Sequence, residues 1–142
     1  MSRVEEYPVT IVAFVKESKD SLLLAADSQF TSGDIRTTNS KLRMAPNKRI
    51  AWSSAGNPSI GLDEFAMWGN TYEFKGKNWR TFAKDAIRQL SRLNGEQRKL
   101  TKLSGVEYKP ESMGAEVLII GWLDNKPGAY ILSENGASRD AL

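Results

Sequence analysis

Apolar and polar residues fall in short alternating blocks along this chain, and the blocks predict more strands than helices. Residues 9–15 (VTIVAFV) are β-branched and apolar, and residues 22–26 (LLLAA) form an unbroken apolar run. Each predicts a buried strand. The polar stretch 16–20 between them predicts a hairpin. A turn is expected over residues 31–34, an edge strand over 36–39 and a short alternating strand over 41–44. The Asn47-Lys48 turn signal then introduces another strand, residues 49–56 (RIAWSSAG).

The period changes in the middle of the chain. Asn57-Pro58 fits a helix start, with Asn as N-cap and Pro at the first helical position, and Leu62, Phe65, Ala66 and Gly69 share one face. Residues 69–77 are a weak join. Trp79, Phe82, Ala83, Ala86, Ile87, Leu90 and Leu93 then fall on one helical stripe, with Arg80, Lys84, Asp85, Arg88 and Arg92 opposite. Asn94-Gly95 is expected to end or kink this helix, and residues 96–114 read as polar and breaker-rich. Residues 116–122 (EVLIIGW) predict a strand, 124–128 (DNKPG) a hairpin turn, 129–132 (AYIL) the return strand and 134–138 (ENGAS) a further turn. The sum is α+β with antiparallel hairpins, as two stacked sheets or as one sheet with helices on a face.

Composition narrows the chemistry. The chain has 142 residues, 40% of them hydrophobic, which fits one domain over residues 1–142. There is no run of membrane-spanning length, and the N-terminal MSRVEEYPV lacks the apolar segment of a signal peptide. With no cysteine there is neither a disulfide nor a thiolate nucleophile, which fits the cytoplasm. With no histidine, Ser-His-Asp chemistry and His-ligated metals are excluded as well. Acid and base must come from Lys, Asp, Glu, Tyr or a free α-amine, and the hydroxyl nucleophiles are Ser and Thr. Asp27 and Asp34 lack the spacing of a calcium loop, and no Gly-rich phosphate loop is present, so no metal and no cofactor is expected. The net charge is +3. Residues 92–102 concentrate basic side chains without interleaved aromatics, which reads as a solvated helix end and not as a nucleic-acid site.

Asp27 closes the apolar run 22–26, either to bond the backbone of the turn that follows or to serve a site. Four pieces stand in a suggestive order: VTIVAFV, AADSQFTSGD, KLRM and RIAWSSAGNPSIG. Together they resemble the proteasome β-subunits and their HslV-type relatives, the N-terminal-nucleophile (Ntn) hydrolases. The resemblance covers roughly the first half of the chain, and the helices and the EVLIIGW hairpin follow in the family's order.

What the resemblance implies is specific. The fold would be the four-layer αββα sandwich of that family, incomplete here because the family continues past the point matching Leu142. The activity would be that of a threonine-type peptidase acting on peptides or unfolded proteins inside an oligomeric ring, served by an ATP-dependent unfoldase. Thr10 would be the nucleophile, Asp27 the aspartate that holds a lysine charged, Lys41 that lysine, and Gly56 or a neighbour the backbone donor to the oxyanion. A Lys⁺ beside a hydroxyl favours its alkoxide, and a nearby carboxylate offsets the cost of burying the cation.

Two registers stay open. Family members read T-T-I-V with the first Thr catalytic, whereas this chain reads Val9-Thr10-Ile11-Val12. Either Val9 holds the nucleophile's place or Thr10 does, with residues 1–8 as a propeptide-like leader and cleavage after Val9. The alternative function is accordingly a catalytically silent structural or assembly subunit of such a complex.

Overall fold

The computed structural model describes residues 12–18, 21–26, 29–32, 35–38, 41–56, 59–109 and 113–139. It is an α+β structure of antiparallel strands and two helical segments. Strands β1 (Val12–Ser18) and β2 (Ser21–Ala26) form the expected hairpin, pairing Val12 with Ala26 and shifting register between Lys16 and Ser18. A second hairpin joins β3 (Gln29–Ser32) to β4 (Ile35–Thr38). Thr31 and Ser32, expected in a turn, are therefore the last residues of a strand.

The remaining strands make one antiparallel sheet in the order β5-β6-β7-β8-β9. They are β5 (Leu42–Met44), β6 (Ile50–Gly56), β7 (Ala115–Leu123), β8 (Lys126–Ser133) and β9 (Gly136–Arg139). Register assigns alternate residues to opposite faces. Ile50, Trp52 and Ser54 share a face with Val117, Ile119, Tyr130 and Leu132, whereas Ala51, Ser53, Leu118, Ile120, Ala129 and Ile131 point the other way.

The first of these faces is covered by helices. A π-helical segment, Ser59–Glu64, runs directly into α1 (Phe65–Thr71), and α2 spans Trp79–Leu103. Asn78 caps α2, its side-chain oxygen accepting a hydrogen bond from the Thr81 N–H at 2.9 Å. Every residue of the expected helical stripe is buried except Ile87, which is half-buried. Aromatic rings lock the layers together. Trp52 meets Phe65 edge-on with centroids 5.6 Å apart, and Trp79 stacks on Tyr130 at 5.2 Å. Gly128 makes the second contact possible, since a Cβ there would come within 2.3 Å of the Trp79 ring. The Trp79 indole N–H donates to the Lys126 carbonyl at 2.8 Å, so the ring is satisfied as well as packed.

Three expectations about the second half are corrected. Asn94-Gly95 neither ends nor kinks α2, which continues to Leu103. Asn94 lies on the buried side at 1% exposure, in line with Leu90, Leu93 and Thr101, so the packed stripe runs on through the pair. A mid-helix glycine costs only about 1 kcal/mol relative to alanine, less than the burial of Leu90 and Leu93 supplies. The turn after β7 is two residues, not five: Asp124 and Asn125 both take positive φ, 54° and 58°, which matches the twist of a tight hairpin. Residues 136–139, assigned to a turn and the chain end, form strand β9 against β8.

The first hairpin lies against the opposite face, with β1 close to β6 and β2 close to β5, β6 and β7. A strand that approaches three neighbouring strands must lie over a sheet rather than beside it. Among the described residues, no helix is long and apolar enough to cross a membrane.

Candidate functional site

The candidate site is built where β6 ends. Residues 53–56 run small, Ser-Ser-Ala-Gly, and Gly56 is the last paired residue of β6, opposite Ala115. Small side chains there let another segment come close. Gly61, inside the π-helical segment, uses that room: a Cβ on it would meet the Ser54 Cβ at 2.4 Å and its Oγ at 2.6 Å. Widened helical turns of this kind are uncommon and recur at functional sites. Nothing in the sequence pattern marks the widening, because Ile60 and Leu62 are buried in it as they would be in an ordinary helix.

Lys41 stands at the same end of the sheet. Leu42 pairs with Ser53 in the antiparallel β5–β6 ladder, so the residue before Leu42 lies on the Gly56 side of that pair. A lysine leading into an edge strand is ordinarily solvated, and lysine is almost never fully buried without a partner. Here Lys41 is only 4% exposed. The adjoining serines are buried too, Ser53 at 0% and Ser54 at 4%, and the Ser53 hydroxyl has no hydrogen-bond partner among the described residues. An ammonium, a buried hydroxyl and a strand ending in Gly56 thus share one end of the sheet.

The other two expected site residues, Thr10 and Asp27, lie outside the described residues. The β1–β2 ladder begins with Val12 paired with Ala26.

A different concavity, of about 460 Å³, occupies the opposite end of the five-stranded sheet. Tyr72, Phe74 and Trp122 form its apolar wall, with Arg49, Glu73 and Asp124 at the polar rim. Tyr72 donates to the Asp85 carboxylate at 2.6 Å, and its phenol is pushed well above its ordinary range by burial first and by that carboxylate second. A third feature sits near the end of α2, where the Arg98 guanidinium lies 5.0 Å from the Tyr108 ring and pairs with Glu134. Burial raises the Tyr108 phenol, and the hydrogen bond that Arg98 donates to Glu134 raises Arg98. Neither place includes a residue that the sequence singled out for chemistry.

In comparison with known proteins, the sequence matches no family model and no curated protein.

Proposed function

We propose that the chain is a threonine-type peptidase of the Ntn-hydrolase kind, with Thr10 as nucleophile, Lys41 as the cation that favours its alkoxide, Asp27 as the carboxylate that keeps Lys41 charged, and Gly56 as an oxyanion donor. One observation carries the reading: the burial of Lys41 beside the 53–56 segment. A solvated lysine would account for its place in the sequence without any function, and burial removes that account. The reading is supported by the α+β architecture, with a hairpin close to β5, β6 and β7 and helices packed on the same sheet. In this reading the rest of the αββα sandwich, the ring and an ATP-driven unfoldase would complete the machine.

The proposed chemistry needs no histidine. Attack by the Thr10 hydroxyl on a peptide carbonyl releases a proton to the α-amine freed by cleavage after Val9. Lys41 lowers the cost of forming the alkoxide, and backbone N–H groups near Gly56 would receive the developing oxyanion, an interaction worth about 2.7–4 kcal/mol.

A second reading, a silent structural subunit, is favoured by Val9 standing where the family pattern has its nucleophile. Hydrolysis of a fluorogenic peptide separates the two. The wild-type chain is expected to turn over, Lys41→Ala to lose activity about 100-fold or more, and Thr10→Ala to lose it entirely. Turnover that survives both substitutions, with thermal melts showing both variants folded, sinks the peptidase reading. No turnover from the wild type transfers the case to the structural subunit.

A further inference from the structure

The continuity of α2 through Asn94-Gly95 changes the meaning of its charges. A helix broken there would carry two separate basic stretches, one before and one after the break. The unbroken helix joins them. At 3.6 residues per turn, Arg80, Lys84, Arg88, Arg92, Arg98, Lys99 and Lys102 all fall within about 120° of arc, on a line about 33 Å long. All seven are exposed. The only other residues in that arc are Thr81, Ser91 and Gly95. The helix bears seven basic and two acidic residues, whereas the whole chain has a net charge of only +3. The positive excess is therefore concentrated on this one face.

Part of the charge is neutralised locally. Arg88 reaches Asp85 at 3.5 Å, Arg92 reaches Glu96 at 2.7 Å, and Arg98 pairs with Glu134. Arg80, Lys84, Lys99 and Lys102 pair with no carboxylate among the described residues. These four cations lie at both ends of the line and are available to a partner.

We infer that the exposed face of α2 binds the phosphate backbone of duplex nucleic acid, without sequence preference. The partner's chemistry follows from what the arc holds and lacks. It has no aromatic or aliphatic side chain, so it offers none of the anchors that centre protein–protein interfaces. Membrane-surface helices insert an apolar face, and the apolar face of α2 is packed on the sheet, with exposed Leu100 and Leu103 outside the arc. A polyanion is held by charge alone, through release of its counterions. A long helical band of cations suits an extended, stiff polyanion such as a duplex, and Arg80 adds a forked donor that matches phosphate oxygens.

The test is fluorescence anisotropy of a labelled 20-base-pair DNA duplex with the full chain, across a salt series. If the four unpaired cations each neutralise one phosphate, the affinity should fall roughly 100-fold between 50 and 200 mM salt. The variant carrying Arg80→Gln, Lys84→Gln, Lys99→Gln and Lys102→Gln should lose most of that binding. All four positions are exposed, so its circular dichroism should match wild type, and a Lys48→Gln control on a loop should bind normally. Three outcomes overturn the inference: no binding at 50 mM salt, binding that the fourfold variant retains, or capture by phosphatidylserine vesicles with no binding of duplex.

Discussion

The two faces of the five-stranded sheet are built from the same strands and use opposite materials. On the helix-covered face, Trp52, Phe65, Trp79, Phe82 and Tyr130 interlock, each at 8% exposure or less. On the other face the central residues are Ala51, Ser53, Ile120 and Ala129, and the outer ones are Leu42, Met44 and Ile131, exposed at 38%, 59% and 40%. Large rings give the first face its stability. The second face carries aliphatic and small side chains at its centre, and β6 runs out in the small segment 53–56 beside buried Lys41. The molecule places its stabilising area on one side of the sheet and its chemically unusual residues at the end where that sheet runs out in serine, alanine and glycine.

Substitutions can break or sharpen this contrast. The largest effect is expected from Trp52→Ala, which empties the centre of the helix-covered face and should cost about 3–5 kcal/mol in denaturant unfolding. Next comes Gly128→Ala. Its methyl group would displace the Trp79 ring, at about 1–3 kcal/mol, and near-ultraviolet circular dichroism should report the moved indole. Tyr72→Phe removes the hydrogen bond to Asp85 and should cost about 1 kcal/mol at neutral pH. The Tyr72 pKa is raised in the folded state, so the stability it contributes is complete below the unfolded value near 10 and declines as pH rises beyond it. Tyr72→Phe should therefore flatten the alkaline fall in stability above about pH 10. On the second face the effects should be small. Ser53→Ala removes a buried hydroxyl that has no partner among the described residues and should be neutral or stabilising by up to about 1 kcal/mol. Met44→Ser should change stability by less than about 0.5 kcal/mol. A loss of several kcal/mol at Ser53 or Met44 would erase the distinction between the faces.

Much of the architecture is legible in the sequence where burial imposes a period. The stripe from Trp79 to Leu93 predicts its helix because one face must be apolar, and the runs 9–15 and 22–26 predict a hairpin because both are strand-like with a polar turn between them. The pattern fails where local signals compete with tertiary packing. Asn94-Gly95 carries a helix-stop signal, and packing of the residues around it overrides that signal. Strand β9, Gly-Ala-Ser-Arg, has no apolar alternation to announce it and exists because β8 offers an unpaired edge. The five-residue DNKPG turn shrinks to Asp124-Asn125 because two residues at positive φ already reverse the chain. For the candidate site, the positions of Lys41 and Gly56 at one end of the sheet follow from strand order. Neither the burial of Lys41 nor the Gly61–Ser54 contact in the widened helical segment is marked by any periodicity.

The most direct measurement is the intact mass of the chain expressed from Met1 without an N-terminal tag. The account predicts a mass lacking residues 1–9, so that Thr10 carries the free amine its chemistry requires. A mass that retains Val9 and the residues before it contradicts the peptidase, because no N-terminal nucleophile would then exist, and it would leave the buried Lys41 as a feature of a structural subunit.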